Sequence, residues 1–261
     1  MILDKLRIKH KIGELSKNLS INIYKKIDST NTQAKLHAEY RKCGNAIFIA
    51  SEQTAGRGRL GRSFVSNKNK GLYLSILLNE ALPPEFATSL TTYMAVIASR
   101  AIHSLSGVIP DIKWVNDLYL GGKKCAGILT EGKASESCDT LDFAVVGIGI
   151  NLYKQEFPDE VKAIATTLED ECKKRVNGCD LAALIVKEFF EGLHLVGSRE
   201  IAEEYKSRSF LIGKQVTVIK PTLEYNATVK NITDKCELLL TLEDGREEIL
   251  STGEVSVRYK A

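Results

Sequence analysis

The spacing of apolar positions separates helices from strands along most of the chain. Ile8, Ile12, Leu15 and Leu19 recur at helical spacing and predict an amphipathic helix within residues 1–20. Residues 21–27 alternate apolar and polar like a half-buried strand, and Asp28-Ser29-Thr30-Asn31 then supplies N-cap side chains for a helix running to near Gly44. Apolar runs at 46–50 and 71–78 read as buried strands. After Pro83-Pro84, the residues Phe86, Leu90, Met94, Ile97, Ala101 and Leu105 mark a helix of about six turns. Residues 111–115 read as a strand closed by Asn116-Asp117, and 118–120 with 123–129 flank the hairpin signal Gly121-Gly122. A further strand at 141–151 carries Gly147 and Gly149, Pro158 opens a helix, and helices are expected at 180–197 and 199–209. From Gly213 only short strands remain, at 215–220, 227–233, 237–242, 247–250 and 255–258, with Asp244-Gly245 as a turn; this predicts a small barrel.

These elements predict an α+β protein. Its parts are a helical extension over 1–20, a main domain with a mixed sheet flanked by helices over 21–211, and a small β-domain over 212–261. A length of 261 residues accommodates that plan. The net charge of +3 is too small to argue for bulk nucleic-acid binding, so any basic function must come from local clusters. No apolar run approaches the roughly 20 residues of a membrane span. The N-terminus lacks the pattern of a signal peptide, and a cytoplasmic location is expected. The six cysteines, at 43, 125, 138, 172, 179 and 236, form no CxxC pair and lack histidines at metal-ligand spacing. They are expected to be reduced structural thiols, with no metal site of the chain's own.

Three stretches carry candidate chemistry. In SEQTAGRGRLGRSF, residues 51–64, Gly56, Gly58 and Gly61 alternate with Arg57, Arg59 and Arg62. Glycines permit close approach of backbone to a ligand, arginines offer forked donors to phosphate or carboxylate, and such a loop is expected to be mobile until an anion orders it. The second stretch is Lys113-Trp114-Val115-Asn116-Asp117 followed by Lys124-Cys125-Ala126-Gly127, which puts short polar side chains and a lysine at a strand end. The third is the Ser29-Thr30-Asn31 cap, whose hydroxyls, amide and free backbone N–H groups suit a small polar ligand. Taken singly, each has a plainer meaning: a solvated or nucleic-acid-binding loop, a turn with a charged sheet edge, and a helix cap.

Their combination and order carry more. The cap, Q-x-A-G-R-G-R-x-G-R, K-W-x-N-D, K-x-x-G and G-x-G-x-N follow one another, and Gly253-Glu254-Val255-Ser256-Val257-Arg258 lies in the C-terminal β-domain. From about Ile21 to Arg258 the chain resembles the biotin protein ligases, the biotin–[acetyl-CoA-carboxylase] ligases. The resemblance implies a class II synthetase-like catalytic domain with an SH3-like C-terminal domain. It also implies an activity in which biotin and ATP form biotinyl-5′-AMP, with Mg²⁺ on the polyphosphate, before transfer to a lysine of a biotin carboxyl carrier domain. By the same resemblance Ser29, Thr30, Asn31 and Gln53 line a ureido pocket. Arg57, Gly58, Arg59 and Arg62 close over the ligands, Gly127, Gly147 and Gly149 lie along them, and Asn151 sits near the nucleotide. Lys124 meets the carboxylate and α-phosphate, Asn116 and Asp117 flank the reacting carboxyl group, and Asp117 is the candidate for accepting the incoming amine's proton.

Two positions depart from the family pattern. Val115 replaces a proline, removing a rigid φ but no functional group, and Phe64 replaces a tryptophan, keeping an aromatic face without the indole N–H. Residues 1–20 are too few for the DNA-binding domain that many bacterial members carry, so no DNA contact is expected. Exposed strands would support a homodimer without locating its interface. The rival readings are a lipoate ligase of the same superfamily and an RNA-binding module. The complete Gly-Arg loop and the C-terminal β-domain favour biotin over lipoate, while RNA binding gives Lys124 and the Ser-Thr-Asn cap no role.

Overall fold

The computed structural model describes residues 3–41, 44–137, 139–220 and 222–257. Cys43, Cys138 and Arg258, named above, lie outside them. The main sheet has seven strands: β1 (Ser20–Tyr24), β2 (Ala46–Ala50), β3 (Gly71–Leu78), β4 (Asp111–Lys113), β5 (Asp117–Leu120), β6 (Lys123–Ala134) and β7 (Leu141–Asn151). Their spatial order is β1-β2-β3-β7-β6-β5-β4. Only β1 and β2 pair in parallel, with α2 (Thr30–Arg41) as their crossover; every other pair is antiparallel, so the sheet is mixed as expected.

One face of the sheet is covered by the long helix α3 (Pro84–Ser106), which begins with Pro84 in its first turn and ends at Gly107 in the left-handed conformation. Residues 90–99 of α3 are all buried, the helix packing against β5, β6 and β7 on one side and α6 (Gly178–Glu191) and α7 (Arg199–Ser207) on the other. The short helices α4 (Asp159–Lys162) and α5 (Leu168–Cys172) lie between β7 and α6. The expected N-terminal helix is α1 (Lys5–Ile12), capped by Asp4 and followed by a 3₁₀ turn. Its Ile8 and Ile12 enter the main core against α6, and Arg7 pairs with Asp180 at 2.7 Å.

Several boundaries differ from the sequence pattern for identifiable reasons. The strand expected at 111–115 stops at Lys113, and residues 114–116 form a turn that lets Asp117 open β5, pairing with both Lys113 and Gly127. That turn is tied down by Trp114 Nε1, which donates to the Cys236 carbonyl at 2.8 Å, and by Asn116 Nδ2, which donates to the Ile128 carbonyl at 2.9 Å. The Trp114–Val115 peptide is cis. The helix expected at 180–197 ends at Glu191, where Gly192 and a 3₁₀ turn interrupt it.

Beyond Leu211, which is buried, the chain forms the SH3-like C-terminal domain. Its antiparallel sheet has the order β11-β10-β9-β8-β12, built from β8 (Gln215–Lys220), β9 (Leu223–Ile232), β10 (Leu238–Leu242), β11 (Glu247–Leu250) and β12 (Glu254–Val257). Val216, Val218, Val229, Leu238, Leu240 and Leu250 fill its interior. Among the described residues no helix is long and apolar enough to cross a membrane. The described cysteines, 125, 172, 179 and 236, form no disulfide with one another, and three of them are buried.

Candidate active site

A cavity of about 300 Å³ opens between the main sheet, the Gly-Arg loop and the turn before β12. Every residue to which the family resemblance gives a role in the site lines it: Ser29, Thr30, Asn31, Gln53, Arg57, Gly58, Arg59, Arg62, Asn116, Asp117, Lys124, Gly127, Gly147, Gly149 and Asn151.

The polar end is built at the start of α2. Ser29, Thr30 and Asn31 are 3–4% exposed despite being polar, so each must find partners within the protein. Gln53 Oε1 accepts from the Thr30 backbone N–H at 2.8 Å, satisfying a donor of the helix's first turn, while Gln53 Nε2 donates to Ser66 Oγ at 3.0 Å. Asn31 Nδ2 donates to the Leu129 carbonyl at 3.1 Å and to Glu131 Oε2 at 2.9 Å. Glu131 also accepts from Lys35 Nζ at 2.7 Å and lies 3.5 Å from the Arg57 guanidinium. Burial pushes the Glu131 carboxyl up, but the hydrogen bonds from Lys35 and Asn31, with the charges of Lys35 and Arg57, outweigh it and hold the group below the usual glutamate value.

The glycines make room for protein side chains as much as for a ligand. A Cβ on Gly147 would stand 2.0 Å from Asn31 Oδ1, and one on Gly149 would stand 2.5 Å from the Phe64 ring. Phe64 therefore lies across the strand pair β6–β7, with its edge to Tyr73 at 6.5 Å between centroids. At Gly127 a Cβ would crowd Lys124 Cε at 3.0 Å.

The Gly-Arg loop folds back on itself. Phe64 N–H donates to the Gly56 carbonyl at 2.9 Å and Gly58 N–H to the Arg62 carbonyl at 2.7 Å, around a 3₁₀ turn over Arg59–Gly61. Leu60 and Gly61 both take positive φ there. The arginines point to different partners. Arg59 donates to Asn116 Oδ1 at 3.2 Å and to the Gly253 carbonyl at 2.9 Å, and Arg62 pairs with Glu254 at 2.6 Å. The C-terminal domain thus reaches the site through the turn before β12.

At the opposite wall Lys124 Nζ forms an ion pair with Asp117 Oδ1 at 2.7 Å. The backbone of Lys124 is clamped by residues 164–166: its N–H donates to the Ile164 carbonyl at 2.8 Å and its carbonyl accepts from Thr166 N–H at 2.9 Å. Asn151 Nδ2 holds the same segment through the Thr166 carbonyl at 3.1 Å. Phe157, Val161, Ile164 and Ala165 make this end of the cleft apolar.

Sequence reasoning missed Lys113, Tyr119 and Glu254 as lining residues, and Glu131 and Ser75 behind the lining. Lys113 stands over the Tyr119 ring, 5.7 Å from its centroid. Burial, helped by the charges of Lys124 and Arg62, holds its amine below the ordinary lysine value against the pull of Asp117 and Glu254. Its signal was present in the K-W-x-N-D stretch. Glu254 needed the fold.

A pocket over the face of β6 and β7 in a mixed sheet, with a polar helix start on one side and a cationic loop and lysine on the other, defines a site for a small ligand with an anionic group. Residues 23–151 match the model of the Biotin/lipoate A/B protein ligase family, and residues 211–258 match the Biotin protein ligase C terminal domain. The chain is 31% identical over 230 residues to the bifunctional ligase/repressor BirA of Bacillus subtilis, covering 86% of this chain and 70% of that protein. It is 31% identical over 218 residues to the biotin--[acetyl-CoA-carboxylase] ligase of Mycobacterium tuberculosis, covering 80% and 77%. Among solved structures, the biotin protein ligase from Aquifex aeolicus in complex with biotin and ATP superposes with a TM-score of 0.77 at 29% identity, over 92% of this chain and 99% of that one. The chain belongs to the biotin protein ligases of the biotin/lipoate protein ligase family.

Proposed function

We propose that the protein activates biotin with ATP to biotinyl-5′-AMP and then transfers biotin to a lysine of a biotin carboxyl carrier domain, as in an acetyl-CoA carboxylase, in the cytoplasm. The observation that carries this reading is the convergence on one cleft of the Ser-Thr-Asn cap, three loop arginines and the Lys124–Asp117 pair.

In the first step the biotin carboxylate attacks the α-phosphorus of ATP and pyrophosphate leaves. Two anions must approach, and charge gathers on the phosphoryl oxygens. Lys124 supplies a cation, and its ion pair with Asp117 holds its amine at the cleft. Arg59 and Arg62 are held by a carbonyl, an amide oxygen and a carboxylate at the surface, contacts that phosphate oxygens can replace. Exchange of those partners closes the loop over a mixed anhydride that water would otherwise hydrolyse. In the second step the carrier lysine attacks the acyl carbon and AMP leaves. Asp117 orients that amine or accepts its proton, and its pairing with Lys124 must loosen for it to do so. The ureido ring occupies the Thr30–Gln53 end and the nucleotide base the apolar end at Phe157 and Val161.

Among the described residues no three His, Cys, Asp or Glu side chains gather as a metal site. The Mg²⁺ ion of this reading accompanies the polyphosphate. The test is incubation of a carrier domain with the protein, ATP and biotin, read by mass spectrometry. One biotinyl group per carrier is expected; an unmodified carrier together with lipoyl transfer from lipoate would overturn the reading.

A further inference from the structure

Behind the polar end of the cleft runs a hydrogen-bond chain with fewer protons than contacts. Its two ends are set by chemistry. The Glu131 carboxylate can only accept, so the Asn31 atom facing it at 2.9 Å is Nδ2, and Oδ1 faces the other way. Gln53 Oε1 takes the Thr30 backbone N–H at 2.8 Å, while Nε2 donates to Ser66 Oγ, whose own proton goes to the Phe64 carbonyl at 3.0 Å. Between these two acceptor oxygens stand the hydroxyls of Ser75 and Thr30.

Three short contacts join them: Asn31 Oδ1 to Ser75 Oγ at 2.6 Å, Ser75 Oγ to Thr30 Oγ1 at 2.7 Å, and Thr30 Oγ1 to Gln53 Oε1 at 3.1 Å. Two hydroxyls supply two protons. The contact to Asn31 Oδ1 requires the Ser75 proton, because an amide oxygen has none to give. Of the two contacts left to Thr30, the one to Ser75 Oγ at 2.7 Å is the shorter, and Gln53 Oε1 at 3.1 Å already accepts the Thr30 backbone N–H, so the Thr30 proton goes to Ser75. The Thr30–Gln53 contact, the longest of the three, is left with lone pairs on both sides. Ser75 is fully buried and does not line the cleft, whereas Thr30 and Gln53 do.

We infer that Ser75 is a positioning residue that turns the Thr30 hydroxyl inward, so that Thr30 Oγ1 and Gln53 Oε1 present lone pairs and the site demands an N–H donor from its ligand. The inference rests on the biotin reading and deepens it. A ureido ring carries two N–H groups, the dithiolane of lipoate carries none, and both ligands have the same pentanoate arm. A site that leaves buried acceptors unpaired rejects a ligand lacking the donor by as much as about 10⁴-fold.

The test measures affinities of biotin, its two ureido N-methyl isomers and lipoate by competition calorimetry. Ser75→Ala frees the Thr30 proton to fill the Thr30–Gln53 contact. Biotin is then expected to bind about 10- to 100-fold more weakly, while the N-methyl isomer that lacks the donor at Thr30, and lipoate, change far less. The discrimination ratio collapses. A purely structural role would weaken all ligands alike, so an unchanged ratio in Ser75→Ala overturns the inference. Ser75→Cys, which keeps a weak donor, is expected to give an intermediate ratio and decides the matter if the alanine variant does not fold; a wild-type ratio there overturns the inference. Glu131→Gln, which lets the Asn31 amide turn over, is expected to lower the ratio as well. Wild-type protein that binds no biotin and shows no biotin-dependent pyrophosphate exchange sinks the ligase reading itself. Wild-type binding with discrimination retained in the variants sinks only the role of Ser75.

Discussion

The floor of the cleft and the loop that faces it are both polar, yet they are held by opposite means. On the floor, Thr30 and Asn31 are 4% exposed and every contact is made to a neighbouring strand or side chain with little freedom. In the loop, the side chains of Arg57 and Arg62 are 50% and 67% exposed, and their carboxylate partners come from β6 and the C-terminal domain. Buried hydrogen bonds are costly to leave unmade, so the floor is a fixed template. Exposed ion pairs contribute little and exchange readily, so the loop suits a lid. Recognition and enclosure are thus separated in space.

Several substitutions would break or sharpen this contrast. The largest effect is expected from Lys124→Ala, which removes the cation between floor and lid. Biotin-dependent ATP–pyrophosphate exchange should fall by about 10³-fold with an unchanged melting temperature; near wild-type exchange would pass the role to Lys123. Gly147→Ala attacks the template. Its Cβ would stand 2.0 Å from Asn31 Oδ1, so biotin binding should weaken by about 10- to 100-fold with roughly 1–3 kcal/mol of stability lost. Calorimetry showing full affinity would mean that the floor adapts.

Arg59→Ala attacks the lid alone. The adenylate should form but dissociate about tenfold faster or more, and an unchanged release rate in a filter assay would remove Arg59 from the clamp. A smaller effect is expected from acid. Glu131 is held below the usual glutamate value of about 4.3, so its stabilisation is complete above that pH and is lost as the pH falls through its depressed folded value. Glu131→Gln should flatten that part of the stability–pH curve by roughly 1 kcal/mol, and unfolding midpoints from pH 7 to 3 would reveal an unaltered slope. The smallest change belongs to Glu254→Gln, within about 0.5 kcal/mol of wild-type stability, since Arg62 is largely exposed. A loss of several times that amount in urea melts would show that the lid is not loosely held.

Local order was legible because it depends on local spacing. Proline and glycine bracket α3, alternation marks the hairpin around Gly121-Gly122, and the change of period after Gly213 marks the second sheet. The end of β4 was not legible, since Trp114 turns away to reach a carbonyl 122 residues later in the chain. Ser75 did leave a trace. The one serine in the apolar run Gly71–Leu78, buried on both faces, must have a partner, and its identity depended on how β3 lies against the start of α2.

The residue types of the site, their order and the chemistry they suit were determined by the sequence alone, because forked cations, short hydroxyls and glycines have properties independent of where they sit. Which of them share protons was decided only by the tertiary structure. Asn31, Ser75 and Glu131 are far apart in the chain, and only the pairing of β3, β7 and β6 beneath α2 brings them within hydrogen-bond reach. The same holds for Glu254 and Arg62, which meet because the C-terminal sheet leans on the loop. Hydrogen bonding falls away beyond about 3.5 Å, so these pairings exist only once the chain has folded.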